Sequence, residues 1–173
     1  MIAAFKSGIW FADFEYHAAG RQKGNILLPV CLVARELASG TTIRVWRDEL
    51  QNMSHPPVPV DKHALFVAYA AYAEMACFRA LNWSVPANIL DLYAEFRNFT
   101  NDKPLPAGKG LIGALTYFGE PCMGAMEKDT MRALVLRGGP WSATEQQQIL
   151  DYCESDVIAL RRLFVRMEGM AHG

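Results

Sequence analysis

Apolar positions recur along this chain with two periods, and the switches between them mark out the elements. Ile9 to Tyr16 (Ile-Trp-Phe-Ala-Asp-Phe-Glu-Tyr) is apolar on both faces apart from two acids, the pattern of a central strand covered on both sides. Leu27 to Leu37 and Thr41 to Arg47, joined through Ala38-Ser39-Gly40, read as a hairpin. Beyond a loop holding Pro56, Pro57 and Pro59, Ala64 to Tyr69 predicts a fourth strand running into a helix from about Ala73 to Leu81. Ile89 to Leu92 predicts a fifth strand that leads into a helix over Tyr93 to Phe99. Helical spacing returns over Gly110 to Phe118 and over Lys128 to Leu136. From Ser142 to Met167, Ile149, Cys153, Val157, Leu160 and Phe164 form one helical stripe. Ser142 followed by Glu145 makes a capping box after the Gly138-Gly139-Pro140 breaker. An antiparallel three-strand start followed by alternating helix and strand predicts an α/β three-layer domain. Periodicity lapses at the end, so residues 1–168 read as a single domain and 169–173 as a linker or domain-boundary tail.

Composition narrows the class. At 173 residues, 51% hydrophobic and 20% charged, the chain has the profile of one globular domain with a sizeable core. No apolar run reaches the roughly 18 residues of a membrane span, and Met1 to Lys6 runs straight into the first strand without a signal-peptide pattern. A cytoplasmic protein with no membrane partner is the expectation. Cys31, Cys77, Cys122 and Cys153 are far apart, three of them in apolar segments, and read as reduced core cysteines. Close Cys or His pairs for zinc are absent. The net charge of −1 provides no general attraction for a polyanion. Basic residues do cluster locally, and the last cluster (Arg161, Arg162, Arg166) reads as a solvated helix face.

The candidate chemistry lies where acids interrupt core-forming patterns. Asp13 and Glu15 are two apart in a strand, so both carboxylates leave the same face. On the last helix Asp156 falls on the inward stripe, with Tyr152 one turn before it. Gathered carboxylates repel and lose hydration unless positive charge sits between them. A divalent cation supplies that charge. Ordinary ion pairing would instead require basic side chains from the core segments, which carry few.

Asp-x-Glu on the first strand, an acidic helix start after a later strand, and Tyr-x-x-x-Asp on a C-terminal helix resemble the layout of the DEDDy 3′–5′ exonucleases. This family includes RNase D, the Werner-type exonuclease and the proofreading domains of family A DNA polymerases. More narrowly, Ala73-Glu74-Met75, Ile89 to Arg97, Leu111 to Leu115 and Arg137 to Trp141 look like the N-terminal exonuclease region of phage- or plasmid-type family A polymerases. The resemblance spans roughly Ile9 to Phe164. It implies a ribonuclease H-like fold, a mixed five-stranded sheet with helices on both faces. It also implies a two-metal exonuclease that releases nucleoside 5′-monophosphates from single-stranded or frayed 3′ ends. Asp13, Glu15 and Asp156 would hold two Mg²⁺ or Mn²⁺ ions about 4 Å apart, with Asp13 bridging them. Tyr152 would position the attacking water. Oxygen ligands without Cys or His fit these hard ions better than zinc.

The chain departs from the family at its second motif. Glu74 stands where Asp is usual and Ala70 where Asn is usual. Glu keeps the charge with one methylene more reach, so Glu74 is the expected fourth acid and activity is expected to survive. Asp91 is its rival, although it can equally cap the helix near Tyr93. Lys128 and Arg132, one helical turn apart, match positions that meet substrate phosphate in related nucleases, and a solvated face accounts for them as well. Trp10 reads as core and Trp141 as a packing anchor; no chemistry is assigned to His17, His55, His63 or His172. DNA is favoured as substrate over RNA, a covalently linked polymerase is a candidate partner, and the alternatives are an RNase D-like exoribonuclease or a non-catalytic nucleic-acid-binding relic of the fold.

Overall fold

The computed structural model describes residues 4–19, 26–121 and 124–171. Cys122 and His172, both considered above, lie outside them. In chain order the elements are β1 (Ile9–Ala19), β2 (Ile26–Glu36), β3 (Thr42–Trp46), α1 (Arg47–Asn52), β4 (Leu65–Ala68), α2 (Tyr72–Ala80), β5 (Ile89–Asp91), α3 (Leu92–Phe99), α4 (Leu111–Tyr117), α5 (Ala125–Leu136) and α6 (Ala143–Ala171). Five strands form one mixed sheet in the order β3-β2-β1-β4-β5. The β1–β2 and β2–β3 pairs are antiparallel, and the β1–β4 and β4–β5 pairs are parallel.

β1 is apolar on both faces because both are covered. Ile9 and Phe11 face a core built with α3, α4, α5 and α6, where Phe11 meets Phe164 edge-on with ring centres 5.3 Å apart. Trp10, Ala12 and Phe14 face the opposite core, with Leu50 of α1 and Met75, Cys77 and Phe78 of α2. Burial of each large side chain contributes about 2–3 kcal/mol, so the two cores together hold β1 as the axis of a three-layer α/β domain.

Several elements differ from the sequence reading. β1, read as ending at Tyr16, runs on to Ala19. The second strand of the hairpin stops at Trp46, and α1 follows at once; with six residues and Leu50 as its one buried side chain, α1 has no detectable helical period. α5 starts at Ala125, a turn earlier than its apolar pattern shows. α6 continues through Ala171, so residues 169–171, read as tail, are helical. Its start has the expected box: Ser142 N–H donates to Glu145 Oε2 (2.8 Å) and Glu145 N–H to Ser142 Oγ (3.2 Å). Gly138 and Gly139, at φ +83° and +85°, make the preceding turn in a conformation that L side chains resist. Trp141 then anchors the helix, donating from Nε1 to Leu134 O (3.0 Å) and packing edge-on to Trp46. Among the described residues, no helix is long and apolar enough to cross a membrane.

Candidate metal centre

The site arises from a mismatch in strand length. β4 pairs with β1 only from Ile9↔Leu65 to Phe11↔Val67 and ends at Ala68, whereas β1 runs on to Ala19. From Asp13 onward, the β4 flank of β1 opens into a cavity of about 520 Å³. Its walls include Asp13, Glu15, Glu74, Lys128, Tyr152 and Asp156. The other flank stays paired with β2. There the register shifts between Glu15 and Tyr16, which oppose Cys31 and Pro29. Pro29 has no N–H to donate, and such residues collect at bulges. The mouth therefore lies at the carboxyl ends of the parallel strands, where open α/β sheets leave room for ligands.

Oxygen atoms of Asp13, Glu15 and Asp156 come within 4.8 Å of one another. Asp13 is seated on α6: the Cys153 thiol lies 3.2 Å from the Asp13 carbonyl oxygen and 3.4 Å from its Oδ2. Lys128 Nζ donates to both Asp156 oxygens, at 3.0 and 2.8 Å, and sits 5.7 Å from the centre of the Tyr152 ring. The expectation that the inward acids lack a basic partner is thus corrected at Asp156. Lys128 comes from α5, before α6, and no core period marks it. Asp13 and Glu15 have no Lys, Arg or His partner within 4.0 Å among the described residues.

The electrostatics show how crowded these acids are. Burial first, and the Asp156 charge second, push the Asp13 carboxyl up to about 7, against the pull of the Cys153 thiol and Lys128. Burial and then Asp13 raise Glu15 well above the usual carboxylate range. Glu74, buried on α2, is raised by burial and Asp13, and its Oε2 has no hydrogen-bond partner. Burial and then Asp156 raise the Tyr152 phenol, which stays protonated through neutral pH. Glu74 is not among the carboxylates that converge, and one ammonium is little positive charge for the three that do. An all-oxygen donor set of Asp13, Glu15 and Asp156 could hold a hard divalent cation, with the unsatisfied Glu74 Oε2 on the wall of the same cavity.

Asp91 is settled as structural. Its Oδ1 accepts from Ala70 N–H (2.9 Å) and Tyr93 N–H (2.9 Å), and its Oδ2 from Ala71 N–H (3.1 Å). It therefore caps α3 and holds the turn that launches α2. Ala70 takes φ +64° in that turn, a left-handed conformation that costs a residue with a Cβ about 1–2 kcal/mol. The turn carries Glu74 back toward Asp13. Nearby, the Tyr69 hydroxyl donates to Lys109 O (2.6 Å) and ties the end of β4 to the loop before α4. Arg132 stands on the exposed rim. Phe14 is core on the far face, while Tyr16 packs against that core and also lines the cavity. The aromatic assignments hold for Trp10 and Trp141, both buried.

Two features of the site escape sequence reasoning. One is the Cys153 thiol against Asp13: a cysteine on an apolar stripe carries no sign of its polar contact. The other is the clamp opposite, where Arg44 of β3 reaches Asp151 (2.6 Å) and Glu154 (2.7 Å) of α6. Asp151 is exposed and Glu154 partly so, as periodicity reads them, and the clamp ties this side of α6 to β3. In comparison with known proteins, no protein-family model and no curated protein matches this chain.

Proposed function

We propose that the protein is a divalent-metal-dependent 3′–5′ exonuclease with a ribonuclease H-like fold, acting on single-stranded or frayed DNA ends. One observation carries this reading: three carboxylates from β1 and α6 converge within 4.8 Å, one turn from a buried tyrosine, in an open cavity. The resemblance to the DEDDy proofreading exonucleases supplies the reaction and favours DNA, and a linked polymerase domain belongs to the same proposal.

Asp13, Glu15 and Asp156 would hold Mg²⁺ or Mn²⁺, with Glu74 acting from the α2 side. Bound there, the ions supply an acidified water and stabilise the leaving 3′ oxygen of an in-line displacement. The remaining work falls to the chain. Tyr152, protonated at neutral pH, donates a hydrogen bond that orients the attacking water rather than removing its proton. Lys128, paired with Asp156 and lining the same cavity, would offer its ammonium to a substrate phosphate there. Arg132, one turn on, offers a second cation at the rim.

The test is digestion of a 5′-labelled single-stranded DNA with Mn²⁺, with Mg²⁺ and with EDTA, beside an RNA of the same sequence. A metal-dependent ladder shortening from the 3′ end is expected, faster on DNA. Faster loss of the RNA would transfer the reading to an exoribonuclease. A folded protein that degrades neither with either metal would overturn the enzyme and leave a non-catalytic binding module.

A further inference from the structure

α6 does not end at the acidic cluster, and one of its faces continues outward from Asp156. Ser155, Ala159, Arg162, Arg166 and Gly169 follow at spacings of four, three, four and three, a single helical face. A groove of about 280 Å³ lies between this face and α4, lined by Leu111, Ile112, Leu115, Ser155, Asp156 and Arg162 among others. It shares Leu111 and Asp156 with the larger cavity that holds the acids. Small side chains at Ser155 and Ala159 leave the near end open. A second concavity of about 430 Å³ shares Arg162 with it and is lined by Glu120, Arg161, Arg162, Val165, Arg166 and Gly169. Three arginines thus stand at the far end of a path whose near end is the cluster of metal-holding acids.

The charge state of that far end is the second observation. Among the described residues, Arg161 and Arg162 have no carboxylate within 4.0 Å, and Arg166 has Glu120 only at 3.9 Å. Arg162 and Arg166 are exposed, and so is the Val165 side chain between them (49%). Guanidinium groups that are unpaired (Arg161, Arg162) or held only by one long ion pair (Arg166), beside apolar surface, suit a strand that offers phosphates and base faces together. From Asp156 to Arg166 the helix rises about 15 Å, enough to follow more than one nucleotide. This face carries two of the basic trio, Arg162 and Arg166, both exposed as the sequence reads them.

We infer that the Ser155–Arg166 face of α6 and the groove beside α4 form a track for single-stranded DNA upstream of the terminal nucleotide, with Arg162 and Arg166 as phosphate contacts. The inference rests on the exonuclease reading for the polarity of the strand. The strand's 3′ end lies among the carboxylates, and its 5′ side leaves over the arginines.

The experiment measures binding without cleavage, so it stands apart from the digestion test. Fluorescein-labelled oligothymidylates of two, four and eight nucleotides are titrated in EDTA with the wild-type chain and with the Arg162→Ala/Arg166→Ala variant, its fold checked by circular dichroism and melting. Affinity of the wild type is expected to climb with length, and the variant to bind the eight-mer at least tenfold more weakly but the two-mer less than twofold more weakly. The slope of log affinity against log salt on the eight-mer is expected to fall by about 1.4, roughly 0.7 for each phosphate that an arginine no longer neutralises. Equal binding of every length by both proteins would overturn the track. So would a hexaglutamate peptide, or a duplex of the same sequence, that competes as well as the eight-mer. A chain that hydrolyses nothing with metal yet keeps the length dependence would fail the exonuclease reading and retain the track.

Discussion

At the scale of single residues, the site is built from groups held against their solution preferences. Asp13, raised to about 7 by burial and by Asp156, takes up a proton on folding between its ordinary value of 3.8 and 7. The folded state then binds more protons than the unfolded one, so stability from this group falls as pH rises across that window. Without metal, the melting temperature is expected to decline from pH 5 to pH 8, and Asp13→Asn to flatten the decline; Glu15 and Glu74 act in the same direction. Melting curves in EDTA against pH check this, and a variant as steep as the wild type would contradict it. On the nuclease reading, Asp13→Ala and Asp156→Ala each abolish cleavage and leave the fold intact. Tyr152→Phe is expected to slow cleavage by about 10²-fold, within the usual range for a proton-positioning group, with Mn²⁺ affinity unchanged. Single-turnover rates and calorimetric Mn²⁺ titrations separate the two effects. A fully active Asp13→Ala protein would end the two-metal assignment.

At the scale of elements, the turn between β4 and α2 bears the most strain. Asp91 accepts from Ala70 and Ala71 N–H in that turn and from Tyr93 N–H at the start of α3, and without it those donors lose their partners in a half-buried setting. Asp91→Ala is expected to cost about 2–3 kcal/mol, because each stranded donor costs of order 1 kcal/mol or more. Ala70→Gly is expected to stabilise by about 1 kcal/mol through relief of the left-handed Cβ clash. Urea unfolding measures both, and an Ala70→Gly midpoint below that of the wild type would show that the turn is not strained. The Arg44 clamp is a different matter. Its partners are partly solvated, so Arg44→Ala is expected to cost under about 1 kcal/mol.

At the scale of the whole molecule, the metal proposal links folding to cation binding. The acids gather only when α6 packs on β1, and the folded protein without metal carries their repulsion, with Glu74 Oε2 unsatisfied. Mn²⁺ is expected to raise stability with concentration, by about 2.7 kcal/mol at a hundredfold excess over its dissociation constant. Glu74→Gln replaces a buried carboxyl whose ionised form burial and Asp13 disfavour, and is expected to melt higher than the wild type in EDTA. In saturating Mn²⁺ that advantage should shrink, because the variant lacks an acid that faces the cation. Differential scanning calorimetry with and without Mn²⁺ distinguishes this from a purely structural Glu74, for which the difference would be the same in both.

Most of the architecture was legible from local patterns because the elements, α1 apart, carry their own periods. β1 shows as an apolar run, α6 as a stripe with a capping box, and the hairpin as two runs around Ser39-Gly40. Asp13, Glu15 and Asp156 stood out for the same reason: an acid on an apolar face breaks a pattern. Tertiary structure decided what those acids meet. β4 ends at Ala68 while β1 runs on, which opens the cavity, and no property of either strand alone records the difference. Lys128 on Asp156, Cys153 on Asp13, Asp91 on the Ala70 turn and Arg44 on α6 join residues 21 to 140 positions apart. Such contacts depend on how elements pack, and a polar side chain shows no periodic trace of its distant partner. The arginines of α6 read as solvated in sequence, and Arg162 and Arg166 are exposed; only packing against α4 places Arg162 on one groove with Asp156.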